Sequence, residues 1–106
     1  MLKSIRIALP VVLLAAVPAL AQMSPGDPGG GRNFARQVCA VCHFVEAADL
    51  GLSWSGAPSF QEVADDPAVN EISLRVFLRT PHEDMPNFML TPAEADDVIS
   101  YILSLK

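Results

Sequence analysis

The pentapeptide CAVCH at residues 39–43 constrains the chain more than any other feature, because it contains both cysteines of the sequence and one of its two histidines. Two thiols separated by two intervening residues, followed directly by an imidazole, fit three chemistries. These are the covalent attachment of haem, a redox-active dithiol, and part of a metal site. The flanking sequence distinguishes between them.

The flanks of this motif favour haem attachment. A thioredoxin-like dithiol belongs to a βαβ unit, whereas both flanks here predict helix. A structural zinc ion needs four protein ligands, and His82 is the only further cysteine or histidine. A disulfide within the motif would close too small a loop to stabilise the fold much. Haem attachment uses all three residues, with thioethers at Cys39 and Cys42 and with His43 on the iron. We therefore predict one covalently bound haem c per chain.

The first 21 residues have the layout of a secretory signal peptide. Lys3 and Arg6 precede an uncharged run from residue 7 to residue 21, which ends in an A-x-A pattern. The run is shorter than the roughly 20 apolar residues of a membrane-spanning helix, and Pro18 favours a break near its end. We predict cleavage after Ala21, export to the periplasm, and no stable membrane insertion of the mature chain.

Cleavage changes the charge that a partner meets. The predicted signal peptide carries two of the seven basic residues and no acidic residue, so its removal lowers the net charge from −5 to −7. Nucleic-acid phosphates repel such a chain, so nucleic acid is not expected as a partner. The charge instead suits docking on a basic patch of another protein.

The mature chain divides into a tether and one domain. Residues 22–30 are rich in proline and glycine, as flexible linkers are, and the domain is predicted to span residues 31–106. A first helix is expected to begin near Gly31 and to lead into the cysteine motif. Residues 46–57 have the composition of a loop.

Two capping-box patterns predict later helices. Ser59 with Glu62, and Thr91 with Glu94, each place an N-cap residue three positions before a glutamate. Another helix is predicted within residues 68–80. The apolar residues expected on the buried faces of the last two helices are Val69, Ile72, Val76, Phe77, Val98, Tyr101, Ile102 and Leu105. No stretch alternates as a strand does, so the predicted fold class is all-α, with three to five helices.

With these elements in place, nearly the whole mature chain resembles a small bacterial class I cytochrome c. GRNFARQVCAVCH is similar to the N-terminal helix and haem motif of that family, and DDVISYILSLK is similar to its C-terminal helix. The resemblance implies the class I cytochrome c fold, wrapped around one haem c. It also implies that the two terminal helices cross at Gly31, with Val98 and Tyr101 at the crossing.

Two further segments resemble parts of the family that contact the haem. GAPSF resembles the segment whose proline carbonyl accepts the N–H bond of the proximal histidine, which implies Pro58 as the partner of His43. HEDMPNF resembles the loop that brings the axial methionine to the iron, which implies Met85 as the distal ligand. The other candidates for the distal position are Met23, Met89, His82 and an open site.

The surroundings of the haem are predicted less directly. Trp54 is expected either to donate its indole N–H to a haem propionate or to pack over the ring edge. Arg75 and Arg79 are interpreted as residues of a solvated helix face rather than propionate partners. The residues expected to form the core and the haem pocket are Phe34, Val76, Phe77, Phe88, Ile99 and Ile102.

These features predict a soluble, monomeric electron carrier of the periplasm. Two permanent iron ligands, His43 and Met85, leave no position for a substrate, so no enzymatic activity is expected. The expected partners are redox proteins with a basic docking patch. Two other functions are open at this point: a five-coordinate haem enzyme or gas-binding sensor, and an electron-transfer subunit of a larger oxidoreductase complex.

Overall fold

The computed structural model describes residues 26–80 and 85–106, and these form a small helical domain. The helices are α1 (Pro28–Val38), α2 (Phe60–Asp65), α3 (Glu71–Arg79) and α4 (Pro92–Leu103), with a 3-10 turn at Cys39–Val41. The described residues contain no β-strand, and an isolated bridge joins Leu52 and Pro58. The predicted all-α fold is therefore confirmed. None of the helices in the described part of the chain is long and apolar enough to cross a membrane.

Helix α1 begins earlier than the sequence predicts. Asp27 is its N-cap, and the Asp27 carboxylate accepts hydrogen bonds from the backbone N–H groups of Gly29 and Gly30. Pro28 occupies the first helical position, where its fixed φ angle and missing N–H cost nothing. This cap outweighs the low helix propensity of three consecutive glycines, so residues 28–30 of the segment predicted as a tether are helical. Residues 1–25, which include the predicted signal peptide and Met23, lie outside the described residues.

Helices α1 and α4 cross at Gly31, as the family resemblance implies. Gly31 is buried, and a Cβ atom at this position would overlap the backbone carbonyl of Asp97 and lie 2.9 Å from Cβ of Tyr101. A second tie lies just before the helix, where Asp27 N donates to Asp97 Oδ1 at 2.7 Å. The absence of a side chain at Gly31 therefore sets how closely the two backbones approach.

Helix α4 supplies more core residues than any other element. Its N-terminus has the predicted capping box of Thr91 and Glu94, and α2 has the predicted box of Ser59 and Glu62. The cluster of buried residues consists of Ala35, Val45, Phe60, Ala64, Leu74, Val98, Ile99, Tyr101 and Ile102. The apolar face predicted for the last helix is thus correct, and Leu105 packs against it as a partly buried residue.

Helix α3 buries a different face from the one predicted. Leu74 is 4% exposed, whereas Ile72 is 72% exposed and Val76 is 59% exposed. Arg75, predicted to be solvated, forms ion pairs with Glu71 at 3.0 Å and with Asp96 of α4 at 2.7 Å. Because this interhelix pair turns the neighbouring Leu74 toward α4, the stripe that begins at Ile72 faces away from the polypeptide core. Phe77 and Phe88, predicted for the core or haem pocket, are 52% and 43% exposed.

Candidate haem site

The cysteine motif continues directly from α1 as one tight turn. The carbonyl of Cys39 accepts from the N–H of Cys42 at 3.0 Å and from the N–H of His43 at 2.9 Å. In a 3-10 turn, side chains three residues apart lie on the same side, so the two thiols share one side of the turn. Both thiols are free. Burial raises the pKa of the Cys39 thiol to about 11, so this sulfur is a neutral thiol at neutral pH before any bond is made to it.

The ring of His43 has a defined tautomer. Its Nδ1 lies 2.8 Å from the carbonyl oxygen of Pro58. A carbonyl oxygen only accepts hydrogen bonds, so Nδ1 carries the ring proton and Nε2 keeps its lone pair. The Phe60 ring packs beside the imidazole, with 5.5 Å between centroids and 56° between planes. Nε2 of His43 is therefore the nitrogen that can bind a metal ion.

A short loop, Gly51 to Pro58, carries the carbonyl that His43 contacts. Its hydroxyl groups, Ser53 Oγ and Ser55 Oγ, both contact the carbonyl oxygen of Cys42, the latter at 2.7 Å. Sequence reasoning missed both serines. The only available signal was the alternation of serine and glycine around Trp54, which indicates a turn but not what the turn contacts.

The residues after the motif are tied to α1 and α4. The carboxylate of Glu46 accepts from Arg32 Nη2 at 2.6 Å and from Arg36 Nε. The hydroxyl of Tyr101 donates to the carbonyl of Val45 at 2.6 Å. Both guanidinium groups lower the pKa of the Glu46 carboxyl, and the hydrogen bond from Arg32 has the larger effect. These contacts were also missed, since nothing local in the sequence pairs residue 46 with residues 32 and 36.

The structure brings together only some of the predicted site residues. Cys42, His43 and Pro58 are joined through the loop contacts above. Trp54 is 82% exposed, and Met85 is partly exposed. Among the described residues, no hydrogen bond or ring contact joins either of them to His43. His82, the alternative distal ligand, lies outside the described residues.

Many large apolar side chains of the described residues are exposed, and several of them lie beside the cysteine motif in the sequence or in the loop that contacts it. A haem is a flat, largely apolar group, and soluble proteins seldom leave large apolar side chains exposed in number. Here Leu52 and Trp54 belong to the loop that contacts the motif, and Phe44 directly follows His43. The large apolar residues that are exposed in the described chain are Val41, Phe44, Leu50, Leu52, Trp54, Ile72, Val76, Phe77, Phe88 and Met89. Two thiols on one side of a turn, a nitrogen donor with its lone pair free, and apolar side chains nearby suit a covalently bound haem.

A helical domain with crossed terminal helices and a CxxCH turn after the first helix has the features of a c-type cytochrome. The sequence matches the family model for cytochrome c over residues 30–106, and the chain belongs to this family as a small class I cytochrome. It is 36% identical over 95 residues to cytochrome c-552 of Bradyrhizobium diazoefficiens, and the alignment covers 90% of each chain. No solved structure gives a significant match.

Family membership establishes the broad biochemistry of the chain. It is a haem c protein whose Cys39 and Cys42 have the spacing of the attachment motif, and it acts as an electron carrier that interacts with redox partners. Bacterial proteins of this kind are usually exported.

Proposed function

We propose that this cytochrome carries single electrons in the periplasm, with haem c linked to Cys39 and Cys42 and with His43 and Met85 as axial ligands. The observation that carries the proposal is the 2.8 Å contact between His43 Nδ1 and the carbonyl of Pro58. It holds the proton on Nδ1, orients the ring and leaves Nε2 as the donor atom. Such a bond also makes the imidazole a stronger ligand.

The polypeptide supplies binding and orientation for electron transfer. When bound, the haem supplies a one-electron couple between ferric and ferrous iron. Thioether bonds from Cys39 and Cys42 would prevent loss of the group, and the Nδ1–H of His43 would stay hydrogen-bonded to the carbonyl of Pro58 in both oxidation states. With both axial positions filled, no site remains for a substrate, so we propose no enzymatic activity.

Met85 is the methionine that we propose as the distal ligand. Met85 is partly buried, and Pro86 follows it directly, which restricts its backbone conformations. Met89 is 89% exposed. The difference in burial supports Met85, since a thioether ligand must be enclosed with its metal to compete with water.

Trp54 is proposed to contact the haem periphery. Within the described residues its indole N–H has no hydrogen-bond partner, while the serines on either side of it contact the Cys42 carbonyl. An indole N–H held beside the attachment motif suits a propionate oxygen as acceptor.

Export and domain boundaries complete the proposal for the chain itself. Residues 1–21 would be a signal peptide cleaved after Ala21, a linker would follow, and residues 31–106 would form the cytochrome domain. We propose that the mature protein is a monomer in the periplasm, without stable membrane insertion and without affinity for nucleic acid.

The proposed docking partner presents a basic patch. After removal of the signal peptide the net charge is −7, and three of the five remaining basic residues already pair with acids of the same chain. Among the described acids without an ion pair, Asp65 and Asp66 are adjacent and exposed, at the end of α2 and directly after it. A basic surface on a redox partner would complement this charge.

Attachment and ligation can be tested on the purified protein. The haem should stay with the polypeptide through acid–acetone extraction and denaturing electrophoresis, and the ferric spectrum should contain the sulfur-to-iron charge-transfer band. Haem that washes out of the correctly exported protein would contradict covalent attachment. Rapid binding of carbon monoxide to the ferrous protein at neutral pH would instead support the five-coordinate enzyme or sensor. Gel filtration of a cell extract would distinguish a free carrier from a subunit of a larger complex.

A further inference from the structure

The loop of residues 51–58 meets the haem motif at two consecutive residues. At one end, the hydroxyl groups of Ser53 and Ser55, together called the serine clip, contact the carbonyl of Cys42. At the other end, the carbonyl of Pro58 accepts the ring proton of His43 at 2.8 Å. Two different contacts, one on the backbone and one on the side chain, therefore depend on how this loop sits against the motif.

The loop is internally braced, so that its two ends move together. Ser53 N donates to the carbonyl of Ala57 at 3.1 Å, and Gly56 N donates to the carbonyl of Ser53 at 2.9 Å. An isolated antiparallel bridge joins Leu52 and Pro58, the residues on the outer side of Ser53 and Ala57. Gly56 has a φ of 79°, which residues with side chains rarely adopt and which closes the turn tightly. A shift of Ser53 against the motif would consequently shift Pro58 as well.

The serine clip satisfies the backbone carbonyl of Cys42. In the described part of the chain, only these two hydroxyl groups contact the oxygen of Cys42. The two serine oxygens also lie 2.8 Å apart, so two hydroxyl protons serve three close contacts. Ser53 is 6% exposed, whereas Ser55 is exposed to solvent. A buried hydroxyl is costly unless it is hydrogen-bonded, so Ser53 is the member whose contact with Cys42 is hardest to replace by water.

We infer that Ser53 and Ser55 are positioning residues for the axial histidine. By holding the carbonyl of Cys42, they keep the loop in place so that the carbonyl of Pro58 stays within hydrogen-bond distance of His43 Nδ1. This inference rests on the proposed role of His43 as the iron ligand. A full Nδ1–H···O bond strengthens the imidazole as a donor and favours ferric iron. Loss of the clip should therefore loosen this bond and raise the reduction potential.

The test compares wild-type holoprotein with the double variant Ser53→Ala/Ser55→Ala. In the diamagnetic ferrous state, solvent exchange of the His43 Nδ1 proton is measured by NMR, and the reduction potential is measured by redox titration. We expect exchange about tenfold faster in the double variant, a factor that corresponds to the loss of one ordinary hydrogen bond, and a higher potential. Ser104→Ala is the matched control, because it removes a hydroxyl that donates to the Tyr101 carbonyl in α4 at 2.6 Å. It should change neither readout.

Two results separate failure of the inference from failure of the proposed function. A protected Nδ1 proton in the wild type, with the same exchange rate and potential in the double variant, would overturn the inference alone. His43 resonances without the shifts of an iron ligand would overturn the proposed ligation, and the inference with it. If the double variant does not accumulate with haem, the single variant Ser53→Ala should still exchange faster than the wild type, and Ser53→Thr should restore the slow rate. Wild-type exchange in Ser53→Ala would then count against the clip.

Discussion

At the scale of single residues, the position of one proton decides how His43 can bind iron. Imidazole has two nitrogens, and only the unprotonated one donates a lone pair. A carbonyl oxygen 2.8 Å from Nδ1 keeps the proton there. A backbone carbonyl such as that of Pro58 suits this role because it accepts hydrogen bonds and never donates them. The nitrogen with which the proposed ligand would bind is thus set by a backbone group that lies fifteen positions away in the sequence.

The first prediction at this scale concerns the identity of the proposed distal ligand. Met85→Ala should remove the sulfur-to-iron band of the ferric spectrum, lower the reduction potential and open the iron to carbon monoxide, because the thioether favours ferrous iron. Met89→Leu should leave all three properties unchanged, since the side chain is 89% exposed and the exchange is close in volume. A band that survives Met85→Ala and disappears in Met89→Leu would reassign the ligand. A wild type without the band, whose spectrum responds to His82→Ala, would indicate bis-histidine ligation.

A second prediction concerns Glu46 and acid pH. Its carboxyl pKa is lower in the folded protein, because Arg32 and Arg36 stabilise the charged form. A carboxyl of this kind stabilises the fold above its unfolded pKa of roughly 4.3 and loses that contribution as the pH falls toward its folded pKa. Glu46→Gln should therefore lower the free energy of unfolding at pH 7 and flatten its decline below about pH 5. Denaturant unfolding at a series of pH values measures both effects.

Asp49→Asn is the control for this prediction. It removes the same charge from the same loop, at an exposed side chain without an ion pair in the described structure. Its stability curve should follow that of the wild type between pH 7 and acid pH. Identical curves for Glu46→Gln and the wild type would show that the two arginines contribute nothing through this carboxylate.

At the scale of elements, the crossing of α1 and α4 depends on a missing side chain. Gly31→Ala would place a methyl group against the Asp97 carbonyl and the Tyr101 side chain, in the α1–α4 contact. We expect the free energy of unfolding of the holoprotein to fall by about 1–3 kcal/mol, the usual cost of overpacking. Gly29→Ala is the matched control in the same helix, where the new methyl group would meet only Asp27, at 3.4 Å. It should change stability by about 0.5 kcal/mol or less. Equal losses in the two variants would contradict a close crossing at Gly31.

At the scale of the whole molecule, charge is the property that a partner meets first. With the net charge of −7 that the proposed signal cleavage would leave, association with a basic redox partner should slow as ionic strength rises, because salt screens exposed charges. Stopped-flow measurement of electron-transfer rates with the physiological partner, at a series of salt concentrations, tests this. Rates that stay constant or increase with salt would count against acidic docking. Neutral sucrose at matched viscosity is the control for changes in diffusion.

Local patterns in the sequence were sufficient wherever a structure or a chemistry depends on neighbouring residues. The two cysteines and the histidine of the motif lie within five consecutive residues, so the haem chemistry could be predicted without knowledge of the fold. The capping boxes at Ser59 and Thr91 join residues only three positions apart, and both helices begin where these boxes predict. The helix crossing at Gly31 was also predicted correctly, although from resemblance to the family rather than from any rule of local propensity.

Tertiary structure decided the features that depend on residues far apart in the chain. Helix α3 has two apolar stripes, and only its packing against α4 decides which one is turned inward: Leu74 is buried, and Arg75 pairs with Asp96 of α4. The serine clip joins positions eleven and thirteen residues apart, and Tyr101 reaches the carbonyl of Val45 across 56 residues. A backbone carbonyl looks the same at every position of a sequence. Which carbonyl meets a given side chain is therefore set by the packing of the helices, and packing is a property of the whole chain.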